Sequence, residues 1–240
     1  MNGISIIIPA YKATEFISEC INSIFNNKEM DDINIQVLIG IDGCEETLDY
    51  IKSTDIIDKC DVYYSENNVG PYIIRNSLLK IAKYEKILFF DSDDIMSEYM
   101  IKIVHDELDN FDSIRFSYLN FNNNDPDNYF KENLPYSHGQ FGVKKSDILS
   151  LNGFLPWKCS ADTEFLHRFD RNEFNMATIS EPLFYRRYHG ENLTQNDNTG
   201  LHTEYRKKLR EEIVDKVNND KLVNPDHLYT CELNKIKNSI

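Results

Sequence analysis

Hydrophobic residues in the first 96 positions fall into short continuous runs, separated by stretches with helical spacing. Four runs rich in Ile, Val, Leu, Phe and Tyr predict buried strands, at 4–8, 35–41, 62–64 and 87–90. The stretches between them predict three helices, at 15–25, 45–53 and 73–82. Thr14 is the expected N-cap of the first helix. Strands that alternate with crossover helices predict a parallel sheet with right-handed connections.

The second half has a less regular pattern. Strands are expected at 113–121, 139–144 and 182–188. A polar loop, NNNDPDN, is expected at 122–128. Helices are expected at 97–108 (capped by Ser97), at 162–169, at 201–217, and as one short helix after Pro225. No repeat or long linker divides the chain, so the pattern predicts one α/β domain with a helical tail.

The charge balance limits the partners that the protein can have. There are 40 Asp and Glu residues against 26 Lys and Arg, a formal net charge of -14. Nucleic-acid binding rests on clustered basic residues, so no nucleic-acid partner is expected. The basic segment YRKKLR at 205–210 could touch a membrane carrying a lipid-linked acceptor. Because Glu211 and Glu212 follow directly, an ordinary solvated helix is the preferred interpretation.

The cysteines and the N-terminus indicate a cytoplasmic protein. The five cysteines are scattered, odd in number and without a C-x-x-C pair, which favours reduced thiols over disulfides or a zinc site. No run of about 18 apolar residues predicts a transmembrane helix. The first residues, MNGISIIIPAYK, lack a basic region and a cleavage site. We expect a cytoplasmic location with at most peripheral contact at the inner face of the membrane.

Acidic residues cluster where the fourth predicted strand ends, in ILFFDSDD. Ligands of open α/β sheets bind at the carboxyl ends of the strands. Residues 10–11 and 42–43 are expected at the same edge, after the first and second strands. Alternation along an extended chain points Asp91 and Asp93 the same way. Two such carboxylates form a hard oxygen site that suits Mn²⁺ or Mg²⁺ with a diphosphate. The alternative is that this segment only caps the helix expected after Ser97.

An ordered series of motifs resembles the family 2 glycosyltransferases. The series is SIIIPAY at 5–11, IGIDG at 39–43, NNVGPYIIRN at 67–76, FFDSDD at 89–94, FGVKKSDILSLNGF at 141–154, ADTEFLHRF at 161–169 and LFYRRYHGENLT at 183–194. No single motif is specific, but their order over about 4–194 is typical of that family. The resemblance implies a GT-A fold, an α/β architecture with a Rossmann-like, mostly parallel central sheet flanked by helices.

The resemblance also divides the chain. It implies a GT-A domain at 1–200, with a nucleotide-sugar-binding half at 1–96 and an acceptor-binding half at 97–200. A helical extension would follow at 201–240. The residues implied to bind the nucleotide sugar are Pro9, Ala10, Tyr11, Asp42, Asn68, Gly70, Arg75, Asp91 and Ser92.

Each donor-site residue has an expected role. The segment Pro9 to Tyr11 would form the floor under the base, and Asp42 would accept a hydrogen bond from uracil. The alternative for Asp42 is a turn residue before Gly43. Asn68, Gly70, Arg75 and Asn76 would shape the donor pocket, although Arg75 could instead be a structural arginine that pairs with a carboxylate.

The resemblance further implies a divalent metal, Mn²⁺ or Mg²⁺. Asp91 would lie near the ribose and the metal, Asp93 would ligate the metal directly, and His189 would be a further ligand. The alternative for His189 is a solvated loop histidine. The neighbouring Arg186 and Arg187 could neutralise the diphosphate.

Asp162 matches the position of the family's catalytic base. The preceding residue is Ala161 where the family usually has Glu, and Glu164 is the nearest rival for the role. The alternative is an aspartate that stabilises a helix start. Trp157 could stack on a sugar ring or fill the core.

Taken together, the resemblance implies an inverting, metal-dependent hexosyl- or N-acetylhexosaminyl-transferase. It would move a sugar from a nucleotide-diphospho-sugar, with UDP favoured by Asp42, to a hydroxyl of a glycan or lipid-linked saccharide in surface polysaccharide synthesis. Ala161 leaves open a catalytically degenerate sugar-binding module. A sugar-1-phosphate nucleotidyltransferase would need a Gly-rich loop where AYKATEF stands at 10–16. No pattern indicates the oligomeric state.

Overall fold

The first four strands form the parallel sheet that their apolar runs predict. A computed structural model describes residues 2–122, 125–130, 136–190 and 192–237. The strands are β1 (Gly3–Ala10), β2 (Asn34–Asp42), β3 (Asp61–Ser65) and β4 (Lys86–Phe89). They are parallel and lie side by side in the order β3-β2-β1-β4. Their carboxyl ends therefore meet at one edge of the sheet.

Helices connect these strands on both faces of the sheet. They are α1 (Ile17–Phe25), α2 (Glu45–Lys52), α3 (Ile56–Lys59) and α4 (Pro71–Ile81). The prediction that Thr14 caps α1 was wrong, because α1 begins after Phe16 and no side chain bonds its first amides. The hydrophobic pattern does not predict α3, because four residues are too few to show a helical period.

The second half continues the sheet with mixed strand directions. Its elements are β5 (Ile95–Met96), α5 (Met100–Glu107), β6 (Ser113–Asn122), β7 (Asp125–Phe130), β8 (Gly142–Lys144), α6 (Lys145–Ser150), α7 (Ala161–Arg171) and β9 (Met176–Tyr188). The strand order from β4 onward is β4-β8-β6-β9-β5. β8 is antiparallel to both neighbours, whereas β6 and β9 are parallel. The α/β architecture is confirmed, with the parallel part concentrated in the first half.

Several expected boundaries in this half were wrong. The expected loop at 122–128 contains the start of β7, which pairs with β6, while residues 123 and 124 lie outside the described part. The α5 helix begins at Met100, three residues after the expected cap Ser97. The strand expected at 139–144 begins only at Gly142, so 139–141 precedes it as loop.

The tail is helical only in its first part. The helix α8 (Glu204–Asn218) was predicted, and the Thr203 side chain caps it by accepting a hydrogen bond from the Arg206 amide. The prediction of a short helix after Pro225 was wrong. That segment is extended and ends in β10 (Asn234–Lys235), which pairs with the outer edge of β3. Side chains of the folded domain bond its backbone, which removes the need for helical hydrogen bonds.

These tail contacts converge on α4. Asn76 donates from its amide to the carbonyls of Tyr229 and Phe154, and its own oxygen accepts from the Phe154 amide. Ser77 Oγ accepts from the Cys231 amide at 2.9 Å. Asn76 is fully buried, so it holds α4 in place rather than lining a donor pocket as expected.

The hydrophobic core consists of two layers, one on each face of the sheet. The first contains residues of α1, α2 and α5, and the second contains residues of α4, α6 and α7. An aromatic cluster in the second layer joins β4 to α7 through Phe89, Phe141, Phe154, Phe165 and Phe169. Among the described residues, no helix has the length and apolar character that crossing a membrane requires.

Candidate active site

Three carboxylates gather in the turn between β4 and β5. Each of Asp91, Asp93 and Asp94 can offer an oxygen that lies within 4.8 Å of the other two. The turn is tight, with the Asp94 amide 3.4 Å from the Asp91 carbonyl. It follows β4, whose last three residues are buried, at the carboxyl edge of the parallel sheet. The structure thus brings together the residues that the FFDSDD motif predicted.

Asp94 is the structural member of this cluster. Its side chain is 3% exposed, one oxygen accepts from the Arg187 amide at 2.8 Å, and the other accepts from the Gln140 side-chain amide. Gln140 also lies 3.4 Å from Asp91 and so bridges two of the carboxylates. The sequence predicts neither the structural role of Asp94 nor the bridging role of Gln140, because a buried glutamine 46 positions away carries no local signal.

Asp91 forms an ion pair with Arg75. The guanidinium is buried and donates to one Asp91 oxygen at 2.5 Å. It also lies over the rings of Tyr72 and Phe89. Arg75 therefore has the structural pairing role that was the alternative to direct donor binding. The expected contact of Arg75 with the nucleotide sugar stays a prediction. The Asp91 side chain is still partly exposed and could reach a ligand.

Asp93 and His189 meet as expected. His189 Nε2 lies 2.9 Å from an Asp93 oxygen, which also accepts from the Asn192 amide at 3.0 Å. Asn192 in turn accepts from the His189 backbone amide at 2.7 Å, and the Phe16 ring packs beside the imidazole. His189 is thus an oriented side chain, not a solvated one. Asn192 was missed, although it lies in the same motif, GENLT.

Desolvation and mutual repulsion dominate the electrostatics of the cluster. Burial raises the pKa of Asp91 and of Asp94, and the neighbouring carboxylates raise both further. Arg75 opposes the shift at Asp91. Several negative charges in a partly buried turn, beside an imidazole nitrogen, form a donor set that fits a hard divalent cation such as Mn²⁺ or Mg²⁺.

The two arginines of β9 differ in their roles. Arg187 is buried, donates to the Asp93 carbonyl at 2.9 Å and pairs with Glu19. Arg187 therefore stabilises the turn. Because its guanidinium is already engaged by these two partners, nothing supports the expectation that it binds a diphosphate. Arg186 donates to Thr194 at 2.6 Å, and its charge opposes the rise in the pKa of both Asp91 and Asp94, which burial dominates.

At the end of β2, Asp42 organises the loop that leads to α4. Its two oxygens accept from the backbone amides of Val69 and Gly70, at 2.7 and 2.9 Å. Asn68 donates back to the Asp42 carbonyl. Burial raises the pKa of Asp42, although the two amide hydrogen bonds oppose this. Asp42 thus has more than a turn role, and its contact with uracil stays a prediction.

The remaining donor-site residues lie at the end of β1, after β4 and just before α4. Pro9 and Ala10 are buried as the last residues of β1, while the next residue, Tyr11, is 49% exposed. Ser92 is half-buried beside Asp91. Gly70 precedes α4 with a φ of 92°, a left-handed conformation that glycine adopts at little cost.

Asp162 lies in the first turn of α7 and faces the acidic cluster. One of its oxygens accepts from the Thr163 amide at 2.8 Å. Gly139 separates it from Asp91: a Cβ atom built on Gly139 would be 3.3 Å from an Asp162 oxygen and 3.8 Å from an Asp91 oxygen. The expected base and an expected metal ligand therefore border the same space.

The rival base is excluded by its surroundings. Glu164 is 2% exposed and pairs with Arg168 at 2.7 Å inside the second core layer. Ala161 is also fully buried there, so the departure from the family's usual Glu lies in the core. Trp157 packs half-buried against the same layer, with the Lys216 ammonium over its ring.

Comparisons with solved structures identify the fold. The chain resembles Staphylococcus aureus TarS in complex with UDP, with a TM-score of 0.66 and 18% identity over 90% of this chain and 71% of that one. It also resembles the mannosyltransferase PcManGT from Pyrobaculum calidifontis in complex with GDP-Man and Mn²⁺, with a TM-score of 0.67 and 11% identity over 90% of this chain and 64% of that one. The fold is that of the GT-A glycosyltransferases.

The model of glycosyl transferase family 2 matches residues 5–213, and the chain belongs to this family. It is 36% identical over 124 residues to an uncharacterized glycosyltransferase of Mycoplasma genitalium, covering 48% of this chain and 41% of the relative. It is 33% identical over 143 residues to a poly(ribitol-phosphate) beta-glucosyltransferase of Bacillus spizizenii, covering 55% and 22%. The chain thus spans less than half the length of these curated relatives.

Replacing Asp94 tests its structural role. Asp94→Ala leaves the Arg187 amide without its acceptor and removes the nearer of the two carboxylate acceptors of the Gln140 side chain, so the free energy of unfolding should fall by about 2 kcal/mol. Urea unfolding measures this change, with the exposed Asp31→Ala expected to stay within about 0.5 kcal/mol of the parent chain. An Asp94→Ala variant as stable as the parent would contradict the structural role.

Proposed function

We propose that this protein is an inverting glycosyltransferase that moves a sugar from a UDP-sugar to an acceptor hydroxyl during synthesis of a surface glycan. The observation that carries the proposal is the shared space between Asp91 and Asp162, beside the carboxylate cluster. Family membership supports sugar transfer, and the TarS complexes with UDP and with UDP-GlcNAc support the choice of nucleotide. The donor half would be 1–96 and the acceptor half 97–200.

In this reaction the acceptor oxygen attacks the anomeric carbon on the face opposite the diphosphate. The new glycosidic bond forms as the bond between that carbon and the UDP oxygen breaks, so the configuration inverts. Asp162 takes the proton of the acceptor hydroxyl, and UDP leaves with the electron pair. General-base assistance of this kind is worth about 10²–10⁴-fold in rate. The position of Asp162 across Gly139 from the donor-side Asp91 supports this assignment.

The donor side would be held by residues of the turn and of β9. Asp91, Asp93 and His189 would hold a divalent cation, which when bound supplies positive charge to the leaving diphosphate. Arg75 fixes the orientation of Asp91, and Asn192 fixes His189 and Asp93. Arg186 would add a further positive charge on the diphosphate side.

The nucleoside would lie at the ends of β1 and β2. Each Asp42 oxygen already accepts one amide, and a carboxylate oxygen has a second lone pair for the uracil N–H. The exposed Tyr11 ring and the Pro9–Ala10 backbone would border the base. The acceptor is proposed to be a glycan or a lipid-linked saccharide, and the poly(ribitol-phosphate) glycosyltransferases among the relatives support a cell-surface polymer.

A screen of nucleotide sugars tests the proposal directly. UDP-glucose, UDP-GlcNAc and GDP-mannose are incubated with the protein and Mn²⁺, and nucleotide release is measured. We expect slow, Mn²⁺-dependent release from a UDP-sugar and thermal stabilisation by UDP with Mn²⁺. Binding without any turnover, with acceptors present, would favour the catalytically degenerate module that Ala161 first suggested.

Asp162→Asn tests the base. Asparagine keeps the hydrogen bond from the Thr163 amide but cannot take a proton, so transfer should fall by at least about 100-fold. The affinity for UDP with Mn²⁺ should stay within about twofold, measured by calorimetry. Asp170→Asn, an exposed change on the same helix, serves as the control. Loss of UDP binding in Asp162→Asn would contradict the assignment.

Asp93→Ala tests the donor side. The change removes the carboxylate that faces His189, so the affinity for UDP should lose its dependence on Mn²⁺. Calorimetry with UDP, in Mn²⁺ and in EDTA, measures this difference. Asp226→Ala, an exposed change in the tail, should keep the dependence of the parent chain. Retained Mn²⁺ dependence in Asp93→Ala would place the cation elsewhere.

A further inference from the structure

Gly139 occupies an unusual position between the two functional carboxylates. Apart from its chain neighbours, the described residues bring only two atoms within 4 Å of a Cβ built there, one oxygen of Asp162 and one of Asp91. No backbone atom and no apolar side chain comes that close. The missing side chain therefore leaves a gap that these two carboxylate oxygens border.

A left-handed backbone does not explain the glycine here, and no backbone atom crowds it. The glycines with left-handed φ values are Gly43, Gly70 and Gly153, and Gly139 is not among them. Where packing requires glycine, backbone atoms are close, as at Gly3, whose Cβ would lie 2.5 Å from the Asn34 carbonyl oxygen. At Gly139 the tightest contact of a Cβ would be 3.3 Å, with the end of the Asp162 side chain and not with the backbone. What the glycine provides is the space itself.

The loop that carries Gly139 is fixed on both sides. The Ser137 amide donates to the Phe116 carbonyl on β6, at 3.1 Å, and the Ser137 hydroxyl accepts from the Gln140 amide at 3.0 Å. The Gln140 side chain then bonds Asp94, and Gln140 is 2% exposed. A side chain added at 139 could not move away with the loop, so it would project into the gap.

We propose that Gly139 is a specificity-determining residue whose missing side chain makes room for the transferred sugar. This inference rests on the proposed function, because the sugar must lie between the diphosphate held near Asp91 and the base Asp162. The uracil base would lie at the ends of β1 and β2, away from this gap, and the diphosphate would reach only its Asp91 side. Position 139 therefore controls the fit of the sugar and leaves the fit of the nucleotide unchanged.

The test compares UDP with UDP-sugars in Gly139→Ala and Gly139→Val. In the presence of Mn²⁺, calorimetry should give a Kd for UDP within about twofold of the parent chain. The Kd for the UDP-sugar that the parent chain uses should rise, more for valine than for alanine. Turnover of that donor should fall by about 10- to 100-fold in Gly139→Ala, because small displacements of reacting groups are costly.

The matched control is Gly190→Ala. Gly190 follows His189 in a loop, its Cβ would meet none of the described residues within 4 Å, and its φ is not left-handed. This variant should bind UDP and UDP-sugars as the parent chain does. It separates the loss of one glycine near the site from the loss of space between the carboxylates.

Each outcome has a distinct meaning. Equal weakening of UDP and UDP-sugars in Gly139→Ala would overturn the inference, because the residue would then serve the nucleotide. Unchanged sugar binding and turnover in both variants would overturn it as well. A large fall in melting temperature for Gly139→Ala would show that packing requires the glycine, and would also overturn it. If the parent chain itself bound no UDP, the proposed function would fail first.

Discussion

The repulsion among the carboxylates between β4 and β5 is the constraint on which the site depends. Carboxylates this close raise one another's pKa, and in this fold each of the three has a different hydrogen-bonding or ion-pair partner. Arg75 from α4 pairs with Asp91, the Arg187 amide on β9 with Asp94, and the His189 segment with Asp93. Elements distant in sequence must therefore assemble correctly before the turn can hold its shape.

The sequence was informative where a residue's role follows from its local pattern. Apolar runs gave the four parallel strands, and the strand-end aspartates followed from them, so Asp91, Asp93 and Asp42 could be placed at one edge of the sheet. The motif series added His189 and Asp162, whose positions no periodicity fixes. Their proximity to the cluster in the structure, at 2.9 Å from Asp93 and across Gly139 from Asp91, is consistent with those expectations.

Residues whose role depends on a distant partner could not be predicted. Gln140 and Asn192 are neutral polar residues in loops, and only the fold shows that they bond carboxylates 46 and 99 positions away. Arg187 looked like a phosphate-binding arginine but is satisfied by Glu19 and a backbone carbonyl. The same limit affected the fold: β5 and β10 have two residues each, too short for a pattern, and exist because a neighbouring strand pairs with them.

The extended segment after α8 has a consequence for association between molecules. The strand β10 pairs with the outer side of β3 and so occupies backbone hydrogen-bonding groups of β3. Left unpaired, such groups can form hydrogen bonds with a strand of another molecule. The new outer strand is only two residues long, and its Lys235 forms an ion pair with Asp61. A short, charged border of this kind is a poor template for edge-to-edge aggregation. The segment thus protects this side of the sheet against unwanted self-association.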